Sequence, residues 1–146
     1  MKIELKLDSS CKEPEVILIC SKITQDIKAL IRKISQETPR MLVGFKDDFV
    51  EILDEDDIVH IFTDSGKVIA ATKQGKYVIR LRLYELEERL DKSSFVRISN
   101  SEIINLKKVK GFDLSFSGTI CVMLTNGATT YVSRRYVAKI KQVLGI

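Results

Sequence analysis

The chain has 146 residues, 45% of them apolar and 30% charged, which is enough for one ordinary core with a small appendage and excludes a disordered chain. Its longest apolar run, residues 16–20, is too short to cross a bilayer, and the opening MKIELKLD has no apolar secretory core, so a cytoplasmic location is expected. The net charge of +4 is unevenly placed: from Arg97 onward eight Lys/Arg stand against two acids, a net of +6, which leaves −2 for the first 96 residues. That asymmetry points to a polyanionic partner, with a solvated basic face as the plainer reading. The three cysteines are widely spaced and form no CxxC pair, as expected of reduced thiols. Cys20 and Cys121 sit in apolar runs and read as core, whereas Cys11 lies in a polar loop.

Taken in order, residues 2–8 alternate as a strand with Ile3, Leu5 and Leu7 on one face. Residues 16–20 read as a buried strand. The period then changes: Ile23, Ile27, Leu30, Ile31 and Ile34 fall at helical spacing, with Ser21 as N-cap and Thr38-Pro39 as terminator. Residues 1–40 thus read as a strand–strand–helix unit suited to dimerisation or to receiving a signal. From residue 41 the pattern is almost all β. Runs 41–45 and 49–53 flank a Lys46-Asp47-Asp48 turn and are followed by an acidic turn at 53–57. Runs 58–62 and 67–71 flank a four-residue turn, 63–66, and Gln74-Gly75 leads into 77–81. A short helix is expected over 83–90, with Leu83, Leu86 and Leu90 on one face. Strands over 111–115, 119–124 and 129–132 are separated by Ser117-Gly118 and Asn126-Gly127 turns, and a basic helix over 134–144 points Val137, Ile140 and Leu144 inward.

The most informative stretch is residues 95–110, FVRISNSEIINLKKVK. It begins as a strand, turns at Ser99-Asn100-Ser101 and leaves on Lys107, Lys108 and Lys110. An asparagine amide carries a donor and an acceptor side by side, the pattern that reads an adenine edge. Arg97 and the three lysines would surround it with phosphate-seeking charge, while Asn105 reads as a support for its own turn. Catalysis finds little footing. The single histidine, His60, lies mid-strand, where a packed or surface-facing role is commoner than a catalytic one. Ser65-Gly66-Lys67 lacks the upstream glycine of a phosphate loop, with Val68 where Ser or Thr belongs. The acids of 54–57 do not have calcium-loop spacing, and no cofactor is expected.

Three pieces carry a family resemblance: LYELEERL, then FVRISNSEIINLKKVK, then NGATTYVSRRYVAKIK. Together, over roughly residues 45–146, they resemble the LytTR DNA-binding domain of bacterial transcription regulators. The resemblance implies a mainly β (α+β overall) fold. It would be an elongated domain of short antiparallel strands with one short internal helix and a C-terminal helix. Domain boundaries are then expected at 1–40 and 41–146.

The resemblance also implies a cytoplasmic, response-regulator-like protein that grips duplex DNA with inter-strand loops and bends it. One loop enters a major groove, a second carrying Asn reaches the intervening region, and a third enters the next major groove. Here these correspond to Gly66-Lys67, Asn100 and Arg135. Gly66 stands where the family can carry a longer polar side chain, which leaves Lys67 as the first hand. The expected base contacts are therefore Lys67, Asn100 and Arg135. The phosphate contacts expected beside them are Arg97, Ser99, Ser101, Lys107, Tyr131, Ser133, Arg134 and Lys139. Partners would be paired sites in double-stranded DNA, a second copy as homodimer, and a small membrane-protein regulator. The alternative is a protein-interaction or ligand-sensing module whose basic face does not read sequence.

Overall fold

Isoleucines at helical spacing do make a helix near the start of the chain, α1 (Gln25–Ser35), though its cap differs from expectation. Thr24, not Ser21, supplies the cap: its Oγ1 accepts from the Ile27 amide at 3.3 Å. Asp26 in the first turn and Arg32 and Lys33 in the last suit the helix dipole. The structure, a computed structural model, describes residues 1–35 and 41–146, so the expected Thr38-Pro39 terminator lies outside the described residues. The chain divides into two units, Met1–Pro39 and Arg40–Ile146.

In the first unit the two expected strands do not form. Residues 2–8 and 16–20 belong to no ladder, and Cys20, expected in a core, is exposed. A strand exists through its hydrogen-bonded neighbour, and neither run has one within the described residues.

The second unit is built of β1 (Val43–Lys46), β2 (Phe49–Ile52), β3 (Ile58–Asp64), β4 (Lys67–Thr72), β5 (Gly75–Ile79), α2 (Leu83–Arg89), β6 (Phe95–Ser99), β7 (Glu102–Asn105), β8 (Val109–Asp113), β9 (Ile120–Leu124), β10 (Thr129–Val132) and α3 (Arg134–Leu144). Seven strands form one antiparallel sheet in the order β2-β1-β5-β4-β3-β7-β6, and three form a second, β10-β9-β8. Alternation along the large sheet feeds two cores. Ile58, Ile61, Ile79 and Ile103 pack with Leu83, Leu86 and Leu90 of the α2 region. Val59, Val96, Ile98 and Ile104 pack with Ile120, Val122 and Leu124 of the small sheet and Ile140 of α3. On β7, adjacent Ile103 and Ile104 therefore enter different cores.

Turn chemistry sets the register. Ser65 and Gly66 both have positive φ, 51° and 77°, so the β3–β4 hairpin closes in two residues. The expected four-residue turn is shorter because Thr63 and Asp64 remain paired with Val68 and Lys67. The expected strand 111–115 also starts earlier, at Val109, after a short 3-10 turn at Leu106–Lys108. Gly44 answers a close approach: a Cβ there would lie 2.6 Å from Tyr77 Cβ and 2.8 Å from Leu53 Cδ1.

Candidate nucleic-acid interface

Three polar loops come together at one end of the large sheet, through identifiable hydrogen bonds. Antiparallel pairing of Phe62 with Glu102 brings the Asn100-Ser101 turn beside the Ser65-Gly66 turn. The Thr63 amide then donates to the Ser101 carbonyl at 3.0 Å. The third loop joins through the Ser133 amide, which donates to the Ile98 carbonyl at 2.9 Å, two residues before Asn100. Lys67, Asn100 and Arg135, far apart in sequence, are thus carried at the same sheet end, all exposed. Among the described residues neither Lys67 nor Arg135 is in an ion pair.

The turn holding Asn100 is clamped. Arg97 Nε donates to the Ser99 carbonyl at 2.7 Å, its Nη2 to the Asn100 carbonyl at 2.7 Å, and its Nη1 to Glu87 Oε2 at 3.0 Å. The Arg97 side chain, expected at a phosphate, is only 12% exposed and braces the turn through these bonds. Only a planar fork satisfies two carbonyls and a carboxylate together. Ser99 Oγ accepts from the Ser101 amide at 3.2 Å, which leaves Asn100 at the apex.

A second tie was missed in the sequence. Glu102 accepts from Thr130 Oγ1 at 2.8 Å through one carboxylate oxygen, and the other lies 2.9 Å from His60 Nδ1. One side chain so joins β3, β7 and β10 behind the loops. Its signal was available: Glu102 is the sole acid of residues 95–110. His60 is buried, with its ring tilted against Phe62 at 4.8 Å between centroids.

The remaining candidates spread around this end. Ser133 precedes α3 and makes no side-chain cap to it among the described residues, while its carbonyl accepts from the Tyr136 amide at 2.9 Å. Arg134 lies along Gly118, where a Cβ would sit 3.3 Å from its Nε. Tyr131 is half exposed, with Phe116 edge-on at 5.9 Å between ring centroids. Lys139, one turn into α3, is 4.0 Å from Glu87 Oε1.

Lys107 is not brought to the loops. β7 carries the chain to the opposite end of the sheet, where Lys107 Nζ lies 3.9 Å from Asp56 Oδ1. Lys108 and Lys110 follow it there, so the expected ring of lysines around Asn100 does not exist. Asn105 does hold its turn: its Nδ2 donates to the Ile58 carbonyl at 2.8 Å and its Oδ1 accepts from the Lys107 amide at 3.0 Å.

Short antiparallel strands that gather polar, cationic loops at one sheet end define a β-built binding domain, in which every pair of helices is separated by strands. The family model described as the LytTr DNA-binding domain matches residues 49–145, and the chain belongs to the LytTR family. Relatives from Staphylococcus aureus strains NCTC 8325 / PS 47 and MRSA252 are each 31% identical over 147 residues, covering 100% of this chain and 99% of theirs. Both are named uncharacterized HTH-type transcriptional regulators. A solved LytTr DNA-binding domain from Bacillus cereus shares the fold, with a TM-score of 0.70, 21% identity, and coverage of 73% of this chain and 97% of that one. Among the described residues no helix is long and apolar enough to cross a membrane.

Proposed function

We propose that this DNA-binding domain acts as a sequence-specific transcription regulator, reading paired sites in duplex DNA with the three loops. The observation that carries this reading is the gathering of Lys67, Asn100 and Arg135 at one sheet end, exposed, with neither cation in an ion pair among the described residues. Arg135 presents a planar fork that matches two acceptors on a guanine edge, and Asn100 matches adenine. Lys67 reaches from the tip of a two-residue hairpin whose Gly66 keeps bulk away from the duplex. Ser99, Ser101, Tyr131, Ser133, Arg134 and Lys139 position the backbone through phosphates. Arg97 acts one step back, by fixing the Asn100 turn, and Lys107 lies outside the footprint.

Selection of bound duplexes from a randomised pool at near-physiological salt tests this. The wild type should enrich a repeated motif, and Arg135→Ala should weaken binding to it by about 1–3 kcal/mol while relaxing preference at one position. Recovery of unenriched DNA whose binding vanishes as salt rises would leave only an electrostatic surface, and the sequence-reading assignment would be wrong.

A further inference from the structure

The first unit holds an exposed run whose charge order is self-complementary. Residues 2–8 read Lys-Ile-Glu-Leu-Lys-Leu-Asp, with Ile3, Leu5 and Leu7 exposed at 85%, 84% and 92% and no ladder partner among the described residues. Its end is fixed: Asp8 Oδ1 accepts from the Ser10 amide at 2.9 Å and from the Ser10 hydroxyl at 2.6 Å, and the Cys11 amide donates to the Asp8 carbonyl at 3.1 Å. That turn ends the alternating run at residue 8 and makes Leu5 the centre of residues 2–8.

From this we infer that residues 2–8 pair with the same residues of a second copy, antiparallel and centred on Leu5, so that a two-fold axis passes through the Leu5 pair. The inference deepens the paired-site reading, on which it rests, by naming what joins two DNA-binding domains. In this register Leu5 opposes Leu5, Ile3 opposes Leu7, Glu4 opposes Lys6 and Lys2 opposes Asp8. Every apolar side chain meets an apolar one on one face, and every charge meets its opposite on the other.

No neighbouring arrangement does this. A shift of two residues one way opposes Glu4 with Asp8 and Lys6 with Lys6. The shift the other way opposes Lys2 with Lys6 and Glu4 with Glu4. A shift of one residue puts charged side chains opposite apolar ones. Parallel, in-register pairing stacks each charge on itself. A self-complementary strand is also what an isologous two-fold interface requires.

A two-stranded ribbon is marginal alone, so its apolar face needs cover. The unit has the material: α1 carries Ile27, Leu30, Ile31 and Ile34 along one stripe and has no buried residue, and Val16, Ile17 and Ile19 are exposed as well. Two copies of each would close over the ribbon formed by Ile3, Leu5 and Leu7.

The test uses the full chain without DNA, so that its failure leaves the sequence-reading assignment standing. Sedimentation equilibrium should give the mass of two chains. Lys6→Glu sets two like-charge pairs into the ribbon and should raise the dimer dissociation constant roughly tenfold, while Glu4→Lys with Lys6→Glu restores it. A second measurement is independent of folding losses. In a Cys11→Ser, Cys20→Ser background, Leu5→Cys should form a disulfide-linked dimer under mild oxidant. Leu7→Cys should not, because its neighbour is Ile3. A single-chain mass at all concentrations overturns the inference and leaves the strand for a different protein. So does a dimer indifferent to the charge swap and without the Leu5→Cys cross-link.

Discussion

The two ends of the large sheet carry the same residue types in opposite circumstances. At the far end the cations face acids: Lys107 lies 3.9 Å from Asp56, and Lys73 lies 3.1 Å from Asp57. At the loop end Lys67, Arg134 and Arg135 are in no ion pair among the described residues: Asp64, across the ladder from Lys67, accepts from the Ser65 hydroxyl at 3.3 Å, while Glu87 and Glu102 are turned to Arg97 and Lys139, and to His60 and Thr130. Asparagine divides in the same way. Asn105 at the far end is 1% exposed and bonded at both ends of its amide, whereas Asn100 stands exposed at a turn apex. The placement of the acids is therefore what distinguishes the two ends, and the proposed reading of DNA relies on it.

That contrast can be broken from either side. The largest effect is expected at the far end, in stability. Asn105→Ala leaves the Ile58 carbonyl and the Lys107 amide without their partner and should lower unfolding free energy by about 2–3 kcal/mol, read from urea titration. The surviving folded protein should keep its salt dependence on DNA, and a flattened slope would place Asn105 in the interface instead. At the loop end, Arg97→Ala should remove about 1–2 kcal/mol of stability and weaken the selected site more than random duplex. Arg97→Lys should not rescue it, because a single ammonium cannot hold two carbonyls and a carboxylate in one plane. Equal loss on both duplexes would mean that Arg97 touches phosphate and does not brace the turn.

Two lysines sharpen the comparison further. Lys139→Ala, at a proposed phosphate contact, should reduce the slope of log K against log salt by about 0.9, the change expected when one fewer phosphate is neutralised. Lys107→Ala should change stability by less than about 0.5 kcal/mol, the usual scale for an exposed pair, and leave that slope unmoved. If Lys107→Ala flattened the slope as Lys139→Ala does, the footprint would extend to both ends of the sheet.

Much of this architecture was legible in the sequence because its signals are local. Asn-Gly and Ser-Gly turns, period-2 strands and the leucine face of α2 each declare themselves within a few residues. The loop positions came from the resemblance, which names residues but not their contacts. The coupling among them was not. The Thr63–Ser101 and Ile98–Ser133 bonds and the Glu102 bridge join residues that no periodicity links. Likewise, counting lysines after Arg97 could not tell which of them the four residues of β7 would carry to the other end of the sheet. The strands expected at 2–8 and 16–20 failed for a related reason: alternation, or an unbroken apolar run, marks surface that wants cover and says nothing about whether the same chain provides it.

The adjacent isoleucines of β7 bear on how the domain comes apart. Ile103 faces one core and Ile104 the other, so one strand is a shared wall and neither core can open while the other keeps it. The amides of these two residues should exchange with deuterium only through global opening, at the same rate as each other, whereas a loop-end amide such as that of Asn100 exchanges through local fluctuation. The loops proposed to meet DNA can thus be loose on the fast timescale while the wall behind them opens only when the whole domain does.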